Sequence, residues 1–246
     1  MIVGGLYMRI RRPMTVFKSG VPGMDFGYMI CETGNMFGGK SEALINRIYD
    51  VEEHEESRKI EYKEKETPFS PLKIGAFVHT FDNRYEKEGY IASHSGLRYP
   101  ATSVSTVENL DKLVTEQQLN VVIIDEVQFF SEKNEKDNWA IVELLHRYVS
   151  ENRFVIVAGL EKDFRGLPFS AMGDLMAISD ETHRHLSKCH VCGEPAILPQ
   201  RLIEGEPAYE DDPLILVGAN DSYQPRCRKC HVLKKRDTKV DKVNII

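Results

Sequence analysis

Along the middle of the chain, short unbroken apolar runs alternate with segments whose apolar residues recur every three or four positions. Residues 121–124 (Val-Val-Ile-Ile) form a β-branched run that ends in Asp125-Glu126, and residues 154–158 form another, closed by Gly159. A strand buried on both faces reads as such a continuous run rather than as an alternation. Residues 74–78 give a third candidate strand, and residues 27–33 a shorter one ahead of a glycine-rich turn at 34–41. Between them lie helical patterns. Residues 42–56 place Leu44, Ile45, Ile48 and Val51 on one face, and residues 104–119 and 139–150 repeat the spacing. Strand and helix alternate over 27–187, which predicts an α/β fold: a doubly wound, mainly parallel sheet with ligands at the carboxyl ends of its strands.

The flanking segments differ in character. Residues 1–26 carry glycines and prolines without a period, the mark of a flexible extension. The charged run 52–67 reads as a solvated helix end or flexible loop, part of an insertion at about 52–72 before the chain resumes at the 74–78 strand. From residue 188 turns and cysteines dominate, which suggests a second, small unit at 188–233 and a loose tail at 234–246. A chain of 246 residues accommodates one α/β domain with such an appendage. The formal net charge of −6 argues against a dedicated nucleic-acid binder. No apolar run approaches the ~20 residues that span a bilayer, and residues 1–13 have no apolar core of a secretory signal. A cytoplasmic location is the expectation.

Three patterns carry chemistry. Gly34-Asn35-Met36-Phe37-Gly38-Gly39-Lys40-Ser41 fits the phosphate-binding loop G-x-x-x-x-G-K-[ST], between a strand and a helix. Its glycines let successive N–H groups turn toward phosphate oxygens, Lys40 reaches the outer phosphates, and Ser41 supplies an oxygen to Mg²⁺. Asp125 ends the central strand and suits the metal, which leaves Glu126 to take a proton from an attacking hydroxyl or to orient water. Cys189-x-x-Cys192 and Cys227-x-x-Cys230 offer four thiolates, the set of a structural Zn²⁺ site. His231 is an alternative to Cys230, with the thiolate favoured. Cys31 stands alone.

In their order, these motifs resemble the cytosolic-type (type II) thymidine kinases, with the bacterial branch nearest. The resemblance is carried by Gly-Asn-Met-Phe-Gly-Gly-Lys-Ser at 34–41, Asp-Asn-Arg-Tyr at 82–85, Ser-His-Ser-Gly-Leu at 93–97, Ile-Asp-Glu-Val-Gln-Phe-Phe at 124–130, the run at 158–169, and the cysteine pairs with Gln-Arg-Leu-Ile between them. It implies a P-loop kinase domain with a zinc-bearing lasso, transferring the γ-phosphate of ATP to the 5′-hydroxyl of thymidine. By the same resemblance Glu126 is the general base, and Gly34 through Ser41, Arg84, Asp125 and Gln128 serve ATP. Asp82 lies close to that chemistry. Met36, Phe129, Leu160, Phe164 and Tyr223 enclose the thymine, and backbone groups of Leu214 and Leu216 hydrogen-bond it. A homotetramer inhibited by thymidine triphosphate is also implied.

Three positions depart from the family pattern: Asn35 stands where proline or serine is common, His79-Thr80 where a lysine–proline pair is common, and Pro199 where a threonine is common. Two other readings compete. A DNA-binding P-loop ATPase is opposed by the acidic balance and the non-basic stretch 193–226. A silent nucleotide sensor is opposed by the intact set of Lys40, Ser41, Asp125 and Glu126.

Overall fold

A computed structural model describes residues 26–66, 68–81, 89–214 and 221–236. In chain order the elements are β1 (Tyr28–Gly34), α1 (Lys40–Glu64), β2 (Ile74–His79), β3 (Tyr90–Ala92), β4 (Arg98–Pro100), β5 (Thr102–Val104), α2 (Val107–Glu116), β6 (Val121–Asp125), α3 (Ala140–Ser150), β7 (Phe154–Leu160), α4 (Met172–Ile178) and β8 (Glu181–His185). Six of the strands form a sheet in the order β5-β2-β6-β7-β1-β8, and every pairing in it is parallel. Its carboxyl edge therefore collects the ends of β1, β6 and β7, where the expectation from alternation puts ligands.

The two faces of this sheet separate the apolar residues by parity, since successive side chains point to opposite sides of a strand. Ile30, Ile123, Ile156 and Ala158 face α1, where Leu44, Ile45, Ile48 and Val51 meet them. Met29, Cys31, Val122, Ile124, Val155 and Val157 pack on the other side with residues of α2, α3 and α4. Cys31 is thus a core residue, and burial pushes its thiol up to about 12. Thr106 Oγ1 accepts the N–H of Asn109 at 3.1 Å and sets the start of α2 later than the 104–119 pattern suggests.

Helix α1 runs to Glu64, well past residue 56, so the first part of the charged run is regular helix. Three of its polar side chains are engaged within the fold rather than left to solvent alone. Glu52 accepts from the Tyr99 hydroxyl at 2.7 Å, Glu55 accepts from the Leu72 N–H at 2.7 Å, and Arg58 is buried between the rings of Tyr62 and Phe69.

After His185 the chain leaves the parallel sheet. β9 (Ser187–Lys188) pairs with β10 (Pro195–Ala196), and β11 (Leu198–Ile203) lies between β12 (Glu206–Pro207) and β13 (Asp221–Arg226), all antiparallel. Gln200 ties this layer to the chain beyond the second cysteine pair, donating to the Val232 carbonyl at 2.9 Å and accepting its N–H at 2.7 Å. No helix among the described residues is long and apolar enough to cross a membrane.

Candidate active site

β1 ends in a loop that demands unusual backbone. Gly34 has φ 135° and Gly39, which caps α1, has φ 92°, a region where a Cβ is strained. At Gly34 a side chain would also start 2.1 Å from the His185 carbonyl oxygen. Lys40 opens α1 and is buried; its ammonium donates to the Asn35 carbonyl at 2.9 Å, folded back on its own loop. The first turn of α1 brings its backbone N–H groups to the same loop, the arrangement of an anion site.

β6 supplies the second half. Asp125 is 2% exposed, and its Oδ1 accepts the N–H of Glu126 at 2.9 Å. Glu126 lies in the left-handed region (φ 53°, ψ 40°) and opens the 3₁₀ turn Val127–Phe129. A non-glycine residue held there costs roughly 1–3 kcal/mol and persists only where its surroundings fix it. Gln128 provides that constraint. It is fully buried, its Nε2 donates to the Glu126 carboxylate, and its Oε1 accepts the N–H of Leu160 at 3.0 Å. Gly159 leaves room for this bridge, because a side chain there would begin 2.7 Å from Gln128 Oε1.

The two halves are not on adjacent strands. β7 lies between β1 and β6, so about 10 Å separates the phosphate loop from the acidic pair at two inter-strand spacings. That interval leaves room for a bound molecule. Lys40, Ser41, Met36, Glu126 and Leu160 open onto one cleft there. The hairpin of β3 and β4 closes one side of it. Its tip brings Ser93, His94 and Ser95 to the cleft, with the His94 ring 4.5 Å from that of Phe37 and Ser95 Oγ donating to Glu42 at 2.9 Å. Sequence reasoning gave these residues, and Glu42, no role. The Ser-His-Ser motif was the available signal, but only the fold shows what it faces.

The aromatic residues expected around a base divide. Phe129 is half-buried and joins His79, Phe81 and Phe169 in a ring cluster. His79 is buried at the end of β2, accepts the Phe81 N–H on Nδ1 at 3.1 Å, and burial depresses its pKa. Phe164 is a buried residue with Arg201 over its ring at 5.4 Å. Arg201 is fully buried and donates to the Pro213 carbonyl, so it anchors the chain just before Leu214. Tyr223 is half-buried on β13, in register with Arg201. Asp82, Arg84 and Leu216 lie outside the described residues.

The sulfur atoms of Cys189, Cys192, Cys227 and Cys230 lie within 4.8 Å of one another. Two tight turns produce this, with Gly193 N–H on the Cys189 carbonyl at 2.9 Å and Cys230 N–H on the Cys227 carbonyl at 3.1 Å. Burial opposes ionisation of Cys189, but backbone N–H groups of Cys227, Cys192 and Val191 outweigh it and bring the thiol down to about 6. Cys230 is pushed up to about 12, first by its hydrogen bond with Cys192. Four soft donors at this spacing fit a tetrahedral cation. The His231 Nε2 is engaged with the Phe164 carbonyl at 2.9 Å, away from this cluster of sulfurs.

A phosphate loop at the edge of a parallel sheet, an acidic strand end two strands away, and a four-cysteine layer define a P-loop nucleotide-binding protein with a small appended antiparallel unit. The family model for thymidine kinase matches residues 27–231, and the chain belongs to the thymidine kinase family. It is therefore an enzyme, a kinase that phosphorylates thymidine and uses ATP.

Proposed function

We propose that Glu126 takes the proton from the thymidine 5′-hydroxyl as that oxygen attacks the γ-phosphorus of ATP held on the phosphate loop. The observation that carries this reading is the shared cleft of Lys40, Ser41 and Glu126. Lys40 turns from the Asn35 carbonyl to the outer phosphates, and the loop N–H groups spread the charge that develops on them. Gln128 holds the Glu126 carboxylate toward the acceptor, a role it fills from beneath the cleft. Ser41 and Asp125 offer the hard oxygen ligands that Mg²⁺ requires, and when bound the ion neutralises phosphate charge. By the family resemblance, Met36, Phe129, Leu160, Phe164 and Tyr223 enclose the base, backbone groups at Leu214 and Leu216 read its edge, and Asp82 and Arg84 serve the phosphate chemistry.

Cys189, Cys192, Cys227 and Cys230 would hold Zn²⁺, which would tie the two ends of the lasso that covers thymidine and excludes water as a competing acceptor. We read residues 27–187 as the kinase domain and 188–233 as the lasso domain. The resemblance to the type II enzymes further supports a cytoplasmic homotetramer inhibited by thymidine triphosphate, which light scattering and inhibition kinetics test.

The decisive experiment measures ADP release from ATP–Mg²⁺ with thymidine, deoxycytidine, single-stranded DNA or no acceptor. Thymidine-dependent release is expected. Glu126→Gln should lower it by about 10²–10⁴ while ATP still binds. Release driven by DNA alone, or a Glu126→Gln protein of normal turnover, contradicts the mechanism.

A further inference from the structure

The phosphate loop and the β11–β13 layer meet at one buried amide. Asn35, 3% exposed, follows the glycine that ends β1. Its Nδ2 donates to the carbonyl of Leu198, the first residue of β11, at 3.0 Å. Its Oδ1 accepts the Met36 N–H at 2.8 Å. Its main-chain carbonyl accepts from the Lys40 ammonium at 2.9 Å and from the Gly38 N–H at 3.3 Å. One residue is thus held by the antiparallel layer through its side chain and by the phosphate-binding lysine through its backbone. A second contact lies alongside, since Gly34 and Gly38 pack so tightly on the His185 carbonyl that a Cβ would sit 2.1 and 2.9 Å from its oxygen. His185 is the last residue of β8, just ahead of β9, so the loop touches the chain both where it leaves the parallel sheet and where β11 begins.

We propose that Asn35 is a positioning residue that couples nucleotide on the phosphate loop to the placement of the β11–β13 layer over thymidine. The proposal rests on the assignment of those two sites made above. Phosphate oxygens are stronger partners for an ammonium than a neutral carbonyl, so nucleotide draws Lys40 off Asn35 and frees the 35–36 peptide to turn toward the phosphates. The buried amide cannot shed Leu198 without leaving polar atoms unpaired, and β11 follows. By linkage the effect is reciprocal: thymidine that fixes the layer also presets the loop.

The test is calorimetric titration of the full chain with a non-hydrolysable ATP analogue, with and without thymidine. Thymidine should tighten the analogue about tenfold, and Asn35→Ala and Asn35→Ser should reduce that ratio below about twofold. A purely structural role would weaken ligands without altering the ratio. Absence of coupling in the unsubstituted chain, or a ratio that survives both substitutions, overturns the proposal. Should the variants not fold, hydrogen exchange in the unsubstituted chain decides it: the bound analogue slows exchange over 198–203 if β11 is linked to the loop, and unchanged exchange refutes the link. Failure of the analogue to bind at all would instead remove the nucleotide assignment of the loop.

Discussion

Glu126 owes its aim to Gln128, and this relation governs what single substitutions do. Gln128→Ala removes the donor to the Glu126 carboxylate and orphans the Leu160 N–H. We expect kcat to fall by roughly 10–100-fold, with a stability loss of about 1–3 kcal/mol; a variant of normal kcat and reduced stability would make Gln128 a core residue only. His79 gives a pH prediction. Its neutral form is favoured in the fold, so its contribution is complete above the ordinary value near 6.5 and is lost as the pH falls through the depressed folded value. The Tm of the protein should drop more steeply below pH 6.5 than that of His79→Leu, and parallel pH profiles would count against it. At this scale the sequence named Lys40, Ser41, Asp125 and Glu126, because motif and spacing are local. It could not give the left-handed turn at Glu126 or the partner of Gln128, since both depend on β7, some 30 residues on. Nor could it place His94, whose neighbour Phe37 is set by tertiary packing.

Elements were legible where apolar periodicity was strong. β6 and β7 fall within a residue or two of their apolar runs, because a strand buried on both faces admits few polar residues. α1 was underestimated for the converse reason. Its second half is mostly charged, so periodicity gave out while the helix continued on side-chain bonds to the segment that follows. That segment provides a prediction. Arg58 pairs with Glu55 at 2.5 Å and packs on Tyr62 and Phe69. Arg58→Ala should cost about 2 kcal/mol, a fall in Tm of roughly 4–8 °C. Lys59→Ala, whose pair with Glu56 is exposed, should change stability by less than about 0.5 kcal/mol. Equal effects would mean that the helix extension is not docked. The short strands β9 to β13 carry no comparable signal, and their pairing follows from the cysteine turns and Gln200 rather than from a repeat.

For the whole molecule, the four-cysteine cluster and the parallel sheet are separate sources of order. On the zinc assignment proposed above, treatment with a chelator, or Cys192→Ser, should raise the KM for thymidine by about tenfold or more and increase thymidine-independent ATP hydrolysis, while the unfolding of the parallel sheet keeps its own transition. A loss of ATP binding in step with the metal would show that the sheet depends on the cluster. The order β6-β7-β1 has a consequence for how such an enzyme can change. The distance between the phosphate loop and Glu126 is spanned by main-chain hydrogen bonds, which no side-chain substitution lengthens or shortens. Reaction geometry is therefore inherited whole. Changes of nucleoside preference are left to the side chains that line the cleft and to the antiparallel layer, so that the parallel frame behaves as a fixed chassis beneath an exchangeable reader.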